Sequence, residues 1–255
     1  MHPPAHQVLS MIFPEHICER IAGGQGIGWR DVAQAHEYAT VLFCDVVGFS
    51  TMCHRTTPDE IMRFLHVFFS LLDGALDQYP RVHKIETIGD CIVCASGIFE
   101  ADATPSDFIE CASQMLAFAN DAVRLSGTVR MPGSSDRVRV RIGIHTGKVT
   151  TGIVGTRMPR FTLFGDTVNV AARLQQSAEP NEIVASDATI EFICRDALAS
   201  ASASSEGRRV YLKGIGDIDI HTLQTLDYDE DAPAPASVSE LLEEMTTQRP
   251  NLTLP

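Results

Sequence analysis

Lys84-Ile85-Glu86-Thr87-Ile88-Gly89-Asp90 is the stretch on which the reading of this chain turns. An apolar, β-branched run is broken by one carboxylate, then a glycine, then a second carboxylate. Gly89 lets the backbone turn where a side chain would clash. Asp90 then sits at the tip of a predicted hairpin whose return strand is Cys91-Ile92-Val93-Cys94-Ala95. A carboxylate on such a tip projects beyond the sheet and needs a partner. Upstream, Val41-Leu42-Phe43-Cys44-Asp45-Val46-Val47-Gly48 is another apolar strand ending in an aspartate, with glycine close behind. Two strand-end aspartates suggest a divalent-cation site, because Mg2+ is commonly held by one or two carboxylates with phosphates and water completing its shell. Either aspartate alone reads more readily as a turn or helix cap.

The chain has 255 residues, 44% hydrophobic and 21% charged, which suits one large domain with flanking segments. A net charge of −13 argues against nucleic acid as a partner, yet local Arg and Lys groups can still hold a small anion. Seven cysteines scattered through apolar stretches fit reduced thiols in a cytosolic setting. Cys91 and Cys94 are three apart in a strand and face opposite sides, so they read as core thiols rather than metal ligands. No apolar run reaches membrane-spanning length and no signal-peptide pattern is present, so a cytoplasmic location is expected.

In chain order, residues 1–37 read as an N-terminal connector, with a short helix from Pro14 and a glycine-rich stop at 22–28. Tyr38–Val47 is the first strand. Thr57-Pro58-Asp59-Glu60 is a helix start with a capping box, and the apolar spacing carries that helix to about Tyr79. The hairpin follows, then a helix from Pro105 to about Leu125. Arg137–Ile144 reads as a strand that turns at His145-Thr146-Gly147 into Lys148–Val154. Strand, helix, hairpin, helix, strand is the βαββαβ order of a ferredoxin-like core, an α/β (α+β) class fold. A C-terminal α/β segment is added to it. Its third helix spans roughly Val168–Ser177, capped by Asp166 or Thr167. A short strand at 182–185, a short helix from Ser186, and a closing hairpin of Arg209–Lys213 with Ile218–Leu223 complete it. The expected domain therefore spans 38–226, and 227–255 is an acidic tail containing Pro and Ala, with a weak helix at 237–247.

Four cations, Arg157, Arg160, Arg173 and Lys213, are candidates for phosphate contacts, though composition alone favours solvated surface charges. Asn169 and Arg173 lie four apart and share a helix face. A neutral donor beside a guanidinium can clamp charge developing on an oxygen; an exposed polar face is the plainer alternative. His145 is a weak base candidate and reads better as a hydrogen-bonded structural histidine.

Together, Phe43-Cys44-Asp45-Val46-Val47-Gly48-Phe49-Ser50, Lys84–Asp90, Arg141-Ile142-Gly143-Ile144-His145-Thr146-Gly147, Met158–Arg173 and Leu212-Lys213-Gly214-Ile215-Gly216 resemble the class III nucleotidyl cyclase catalytic domain. The likeness covers about 38–224 in the family's order and spacing. It implies conversion of a nucleoside triphosphate to a 3′,5′-cyclic monophosphate and pyrophosphate, at sites shared between two head-to-tail domains. It further implies that Asp45 and Asp90, with the Val46 backbone carbonyl nearby, hold two divalent cations, Mg2+ or Mn2+. Arg157 would touch the phosphates from the same chain. Asn169 (ribose), Arg173 (α-phosphate) and Lys213 (terminal phosphates) would come from the partner. Because one chain carries both halves, the resemblance implies a homodimer, or a heterodimer with a related cyclase domain. The lead-in, with no sensor in this chain, suggests a domain of a longer signalling protein whose upstream sensor domain is absent here, the cytosolic part of a membrane-bound protein being one setting for it.

In this family two positions read the base, and here they are Glu86 and Thr162. Glu86 can accept both N1–H and N2–H2 of guanine, whereas adenine presents an acceptor at N1. Thr162 can donate to guanine O6 or accept from adenine N6. The resemblance thus implies a guanylyl cyclase acting on GTP, with some turnover of ATP expected. The alternatives are an adenylyl cyclase and a catalytically silent regulatory module of the same fold. A phosphatase built on Asp45 is poorly supported, since no second aspartate follows two residues later.

Overall fold

The computed structural model describes residues 18, 33–100, 103–155, 157–194, 198, 207–223, 236–241 and 243. Its first strand, β1 (Gln34–Val46), starts four residues earlier than expected, because Gln34–His36 pair with Val149–Thr151 before an irregularity between His36 and Ala39. A one-turn helix α1 (Phe49–Cys53) follows, and then α2 (Pro58–Leu76). The capping box at its start is present: the Thr57 N–H donates to Glu60 Oε2 at 3.1 Å, and the Glu60 N–H donates to Thr57 Oγ1 at 3.3 Å. The helix ends three residues before Tyr79, whose hydroxyl instead donates to Asp121 Oδ2 at 2.8 Å.

β2 (His83–Ile88) and β3 (Cys91–Ser96) form the hairpin around Gly89, which has φ 63°. α3 (Pro105–Ser126) leads to β4 (Val140–Val154) and β5 (Arg160–Phe164). α4 (Asp166–Ser177), β6 (Ile183–Ser186), the single turn α5 (Asp187–Ile190), β7 (Arg208–Leu212) and β8 (Gly216–Leu223) complete the order. The sheet runs β2-β3-β1-β4-β6-β8-β7, with β5 pairing to β4. Its first four strands have the expected ferredoxin-like arrangement. β6 adds to β4 in parallel, and the β7–β8 hairpin closes that edge.

Two expectations fail. His145-Thr146-Gly147 is not a turn: β4 is one continuous strand, and those three residues pair with Val41, Thr40 and Ala39 of β1. Gly147, which reads as a turn former, serves close packing instead, as does Gly143 within the strand. A Cβ on Gly147 would lie 2.7 Å from Thr167 Oγ1, and one on Gly143 would lie 2.1 Å from the Gln175 nitrogen and 2.4 Å from the Ala171 oxygen. Helix α4 therefore rests directly on the β4 backbone. Nor do Asp166 or Thr167 cap α4: Gly165 occupies that position, and Thr167 Oγ1 donates to the Lys148 carbonyl at 2.7 Å. Gly143→Ala has no room to relax against helix backbone, and the expected cost is about 3 kcal/mol or more. A denaturant melt with an unchanged slope and a lower midpoint is the result that checks it.

One sheet face packs against α2 and α3, where Leu42, Cys44, Ile92, Ile142 and Ile144 meet Phe64, Phe68, Met115, Leu116 and Phe118. Each fully buried large side chain contributes about 1.5–3 kcal/mol. The other face carries Ala39, Val41, Val93, Ala95 and Val149 under Phe161, Leu163 and Ala171. Cys18, buried and helical, joins this second cluster. The rest of the expected Pro14 helix and the 22–28 stop lie outside the described residues. So do most residues of the 227–255 tail; within it, Ala236 pairs with Val129, and Val238 and Leu241 pack against the first cluster.

Candidate active site

The Lys84–Asp90 stretch contains a feature that alternation does not predict. Lys84 pairs with Cys94, but Glu86 pairs with Val93, so Ile85 is an extra residue in β2. In a regular strand Lys84 and Glu86 would share a face. The bulge separates them. Lys84 turns to the α2 side, where Nζ reaches Asp73 Oδ1 at 2.7 Å and lies 5.6 Å from the centre of the Phe69 ring. Glu86 turns to the other face, where Thr162 Oγ1 on β5 donates to Glu86 Oε1 at 3.5 Å. Two residues separated by 76 positions in sequence thus form one half-buried acceptor–hydroxyl pair.

At the far end of the hairpin Asp90 meets Asp45. Its carboxyl is pushed up to about 6, by partial burial first and by the neighbouring Asp45 next; N–H groups of Asp90 and Val46 pull the other way. Two carboxylates in contact without a cation are mutually unfavourable, and this is the electrostatic setting that a divalent ion fits. Among the described residues no third His, Cys, Asp or Glu joins them to make a metal cluster. The Cys91 thiol is pushed up to about 12 by burial and by both aspartates. Cys94 faces the opposite side, within the α2–α3 core.

Asp45 has two further partners that motif reading missed. Arg141 Nη2 donates to Asp45 Oδ2 at 2.7 Å, and Gln175 Nε2 donates to the same oxygen at 3.3 Å. The Arg141 contact follows from cross-strand register, which sets Asp45 opposite Arg141. Gln175 reaches in from α4. The same helix presents Asn169 and Arg173 on its exposed side, and Arg173 Nη1 donates to Gln176 Oε1 at 2.7 Å. Arg157 follows the β4 end and Lys213 lies at the β7–β8 turn, both exposed. Among the described residues, no hydrogen bond or ion pair joins Asn169, Arg173, Arg157 or Lys213 to the aspartates or to Glu86. His145 is a structural group: Nδ1 lies 2.6 Å from Ser186 Oγ, and burial pushes the imidazole down to about 4, so it is neutral near pH 7.

Residues 32–225 match the family described as the adenylate and guanylate cyclase catalytic domain. The chain belongs to that family. The cyclase domain is 34% identical over 192 residues to the receptor-type guanylate cyclase gcy-23 of Caenorhabditis elegans, covering 75% of this chain and 17% of that protein. It is 33% identical over 184 residues to the soluble guanylate cyclase gcy-31 of the same organism, covering 72% and 25%. It therefore spans a quarter or less of these relatives' lengths. Among solved structures, the guanylate cyclase domain of RhGC from Catenaria anguillulae, in complex with GTP, superposes with a TM-score of 0.65. Sequence identity to it is 25%, and the match covers 75% of this chain and 98% of that one.

The Asp45–Asp90 contact has a measurable consequence for the metal-free cyclase domain. A carboxyl whose folded pKa is raised costs stability when ionised. That cost is absent below about pH 4, grows between pH 4 and 6, and is fully present above 6. Asp90→Asn is therefore expected to raise the melting temperature of metal-free protein at pH 7.5, with the gain shrinking as pH falls toward 4. Added Mn2+ should stabilise the parent protein and not the variant. Calorimetry with chelator and with Mn2+ checks both.

Proposed function

We propose that this cyclase domain is a guanylyl cyclase that converts GTP to 3′,5′-cyclic GMP and pyrophosphate. The observation that carries the choice of nucleotide is Glu86, turned by the β2 bulge onto the face of Thr162, 3.5 Å away. A carboxylate accepts from guanine N1–H and N2–H2 and repels the lone pair of adenine N1. The Thr162 hydroxyl, resting on Glu86 in the absence of a base, turns to guanine O6.

The ribose 3′-hydroxyl gives up its proton to solvent, its oxygen attacks the α-phosphorus, the bond to the β-phosphate oxygen breaks, and pyrophosphate leaves with that electron pair. When bound, two divalent cations, Mg2+ or Mn2+, acidify the 3′-hydroxyl and neutralise phosphate charge. Asp45 and Asp90 would hold them with the Val46 backbone. Arg157 steadies the phosphates from the same chain. The partner's Asn169 orients the ribose, its Arg173 meets the charge that grows on the α-phosphate, and its Lys213 holds the terminal phosphates.

A second copy is the partner we favour. Ile88 beside Asp90, Phe164 at the end of β5, and Val154 and Met158 around the β4–β5 connection are large apolar side chains exposed by 52–85%. A second copy covering them would remove this apolar surface from water.

Turnover of GTP and ATP with Mn2+ and with Mg2+ tests the assignment. GTP is expected to dominate, with a minor ATP activity that Thr162 permits because its hydroxyl also accepts from adenine N6. Efficient ATP cyclisation with negligible GTP turnover would overturn it.

A further inference from the structure

We propose that Gln175 is a positioning residue that fixes the Asp45 carboxylate for cation binding, and that it ties this aspartate to the helix presenting Asn169 and Arg173. The inference rests on the reading of Asp45 as a cation ligand. Gln175 is only 6% exposed, on a helix pressed against the β4 backbone at Gly143. An apolar side chain would fill this position without needing a partner, whereas a buried amide must find one. The partner it finds is Asp45 Oδ2, the oxygen that Arg141 also takes. Two donors from different elements on one oxygen hold the carboxylate in place beside Asp90. The Arg141 guanidinium makes this single contact at the expense of its own satisfaction, since its Nε is buried with no hydrogen-bond partner among the described residues.

The link has a consequence for the dimer. Asp45 serves the site completed by the partner's helix, while α4 of its own chain serves the other site. Gln175 joins the two by one hydrogen bond.

The test is Mn2+ binding to the full chain without nucleotide, followed by electron paramagnetic resonance. Gln175→Met keeps length and apolar packing and changes no charge. It is expected to weaken Mn2+ binding about tenfold, to lower kcat at limiting Mn2+ with the KM for GTP unchanged, and to recover kcat at high Mn2+. Leu174→Ala, which loosens the same helix without touching Asp45, is expected to lower the melting temperature and leave Mn2+ affinity unchanged. The proposal is overturned if Gln175→Met leaves Mn2+ affinity unaltered, or if Leu174→Ala weakens it equally. Asp45→Asn separates the two readings. If it retains Mn2+ binding, the assignment of Asp45 as a cation ligand fails, and the role of Gln175 with it. If it loses binding while Gln175→Met does not, only the positioning role fails.

Discussion

Asp45→Ala and Arg173→Ala are each expected to abolish cyclisation alone, and their mixture is expected to recover up to about a quarter of the parent activity. The figure follows from symmetry: equal mixing makes half the dimers heterodimers, and each of those has one intact site of two. The intact site takes Asp45 from one chain and Arg173 from the other; the second site of the same dimer carries both defects. The argument for sharing is geometric. Asp45 sits at the end of β1 with its oxygen engaged by Arg141 and Gln175, while Arg173 is on the exposed side of α4 and engages its neighbour Gln176. Each single loss is expected to cost about 10²–10³-fold or more, because each removes charge stabilisation where the transition state needs it. Cyclic nucleotide formation, measured alongside native mass spectrometry of the mixture, checks the result. Heterodimers that form and remain inactive would place a whole site within one chain.

Much of the fold is legible in the sequence, and the reasons are local. Thr57-Pro58-Asp59-Glu60 and Gly89-Asp90 act through their own neighbours, so a capping box and a hairpin tip emerge as read. Gly147 reads as a turn former although its role is tertiary. Gly143 and Gly147 exclude side chains so that α4 can lie on β4, and nothing in His145–Lys148 alone separates that use of Gly147 from a turn. The bulge at Ile85 was hidden for a related reason. Alternation of Lys84, Glu86 and Ile88 assumes a regular strand, while the observed register is set by the pairing partner Cys91–Ser96. Arg141 was in plain view within a quoted motif, but its role depends on standing opposite Asp45, 96 residues away in sequence. Gln175 offered no signal: a glutamine late in an amphipathic helix reads as surface until the helix is seated on the sheet.

The bulge also determines what Glu86→Lys should do. Because Glu86 faces Thr162 and not the α2 side, its replacement changes the base pocket and leaves the Lys84–Asp73 contact alone. An ammonium donates where the carboxylate accepted. It meets the adenine N1 lone pair favourably and opposes guanine N1–H, while Thr162 needs only to rotate its hydroxyl to accept from adenine N6. A mismatched buried polar pair costs about 1–3 kcal/mol, and here the change acts against GTP and for ATP at once. The ratio of kcat/KM for GTP over ATP is expected to fall by about 10²–10⁴-fold, with ATP becoming the better substrate. Glu86→Gln should fall between, since its amide oxygen still accepts from N1–H while its NH2 opposes N2–H2. Glu86 is half-exposed at the sheet margin, so the melting temperature should stay close to the parent value. If E86K retains the GTP preference while folded and active, then the guanine edge is read by groups other than this pair, and the bulge is an architectural feature of β2 alone.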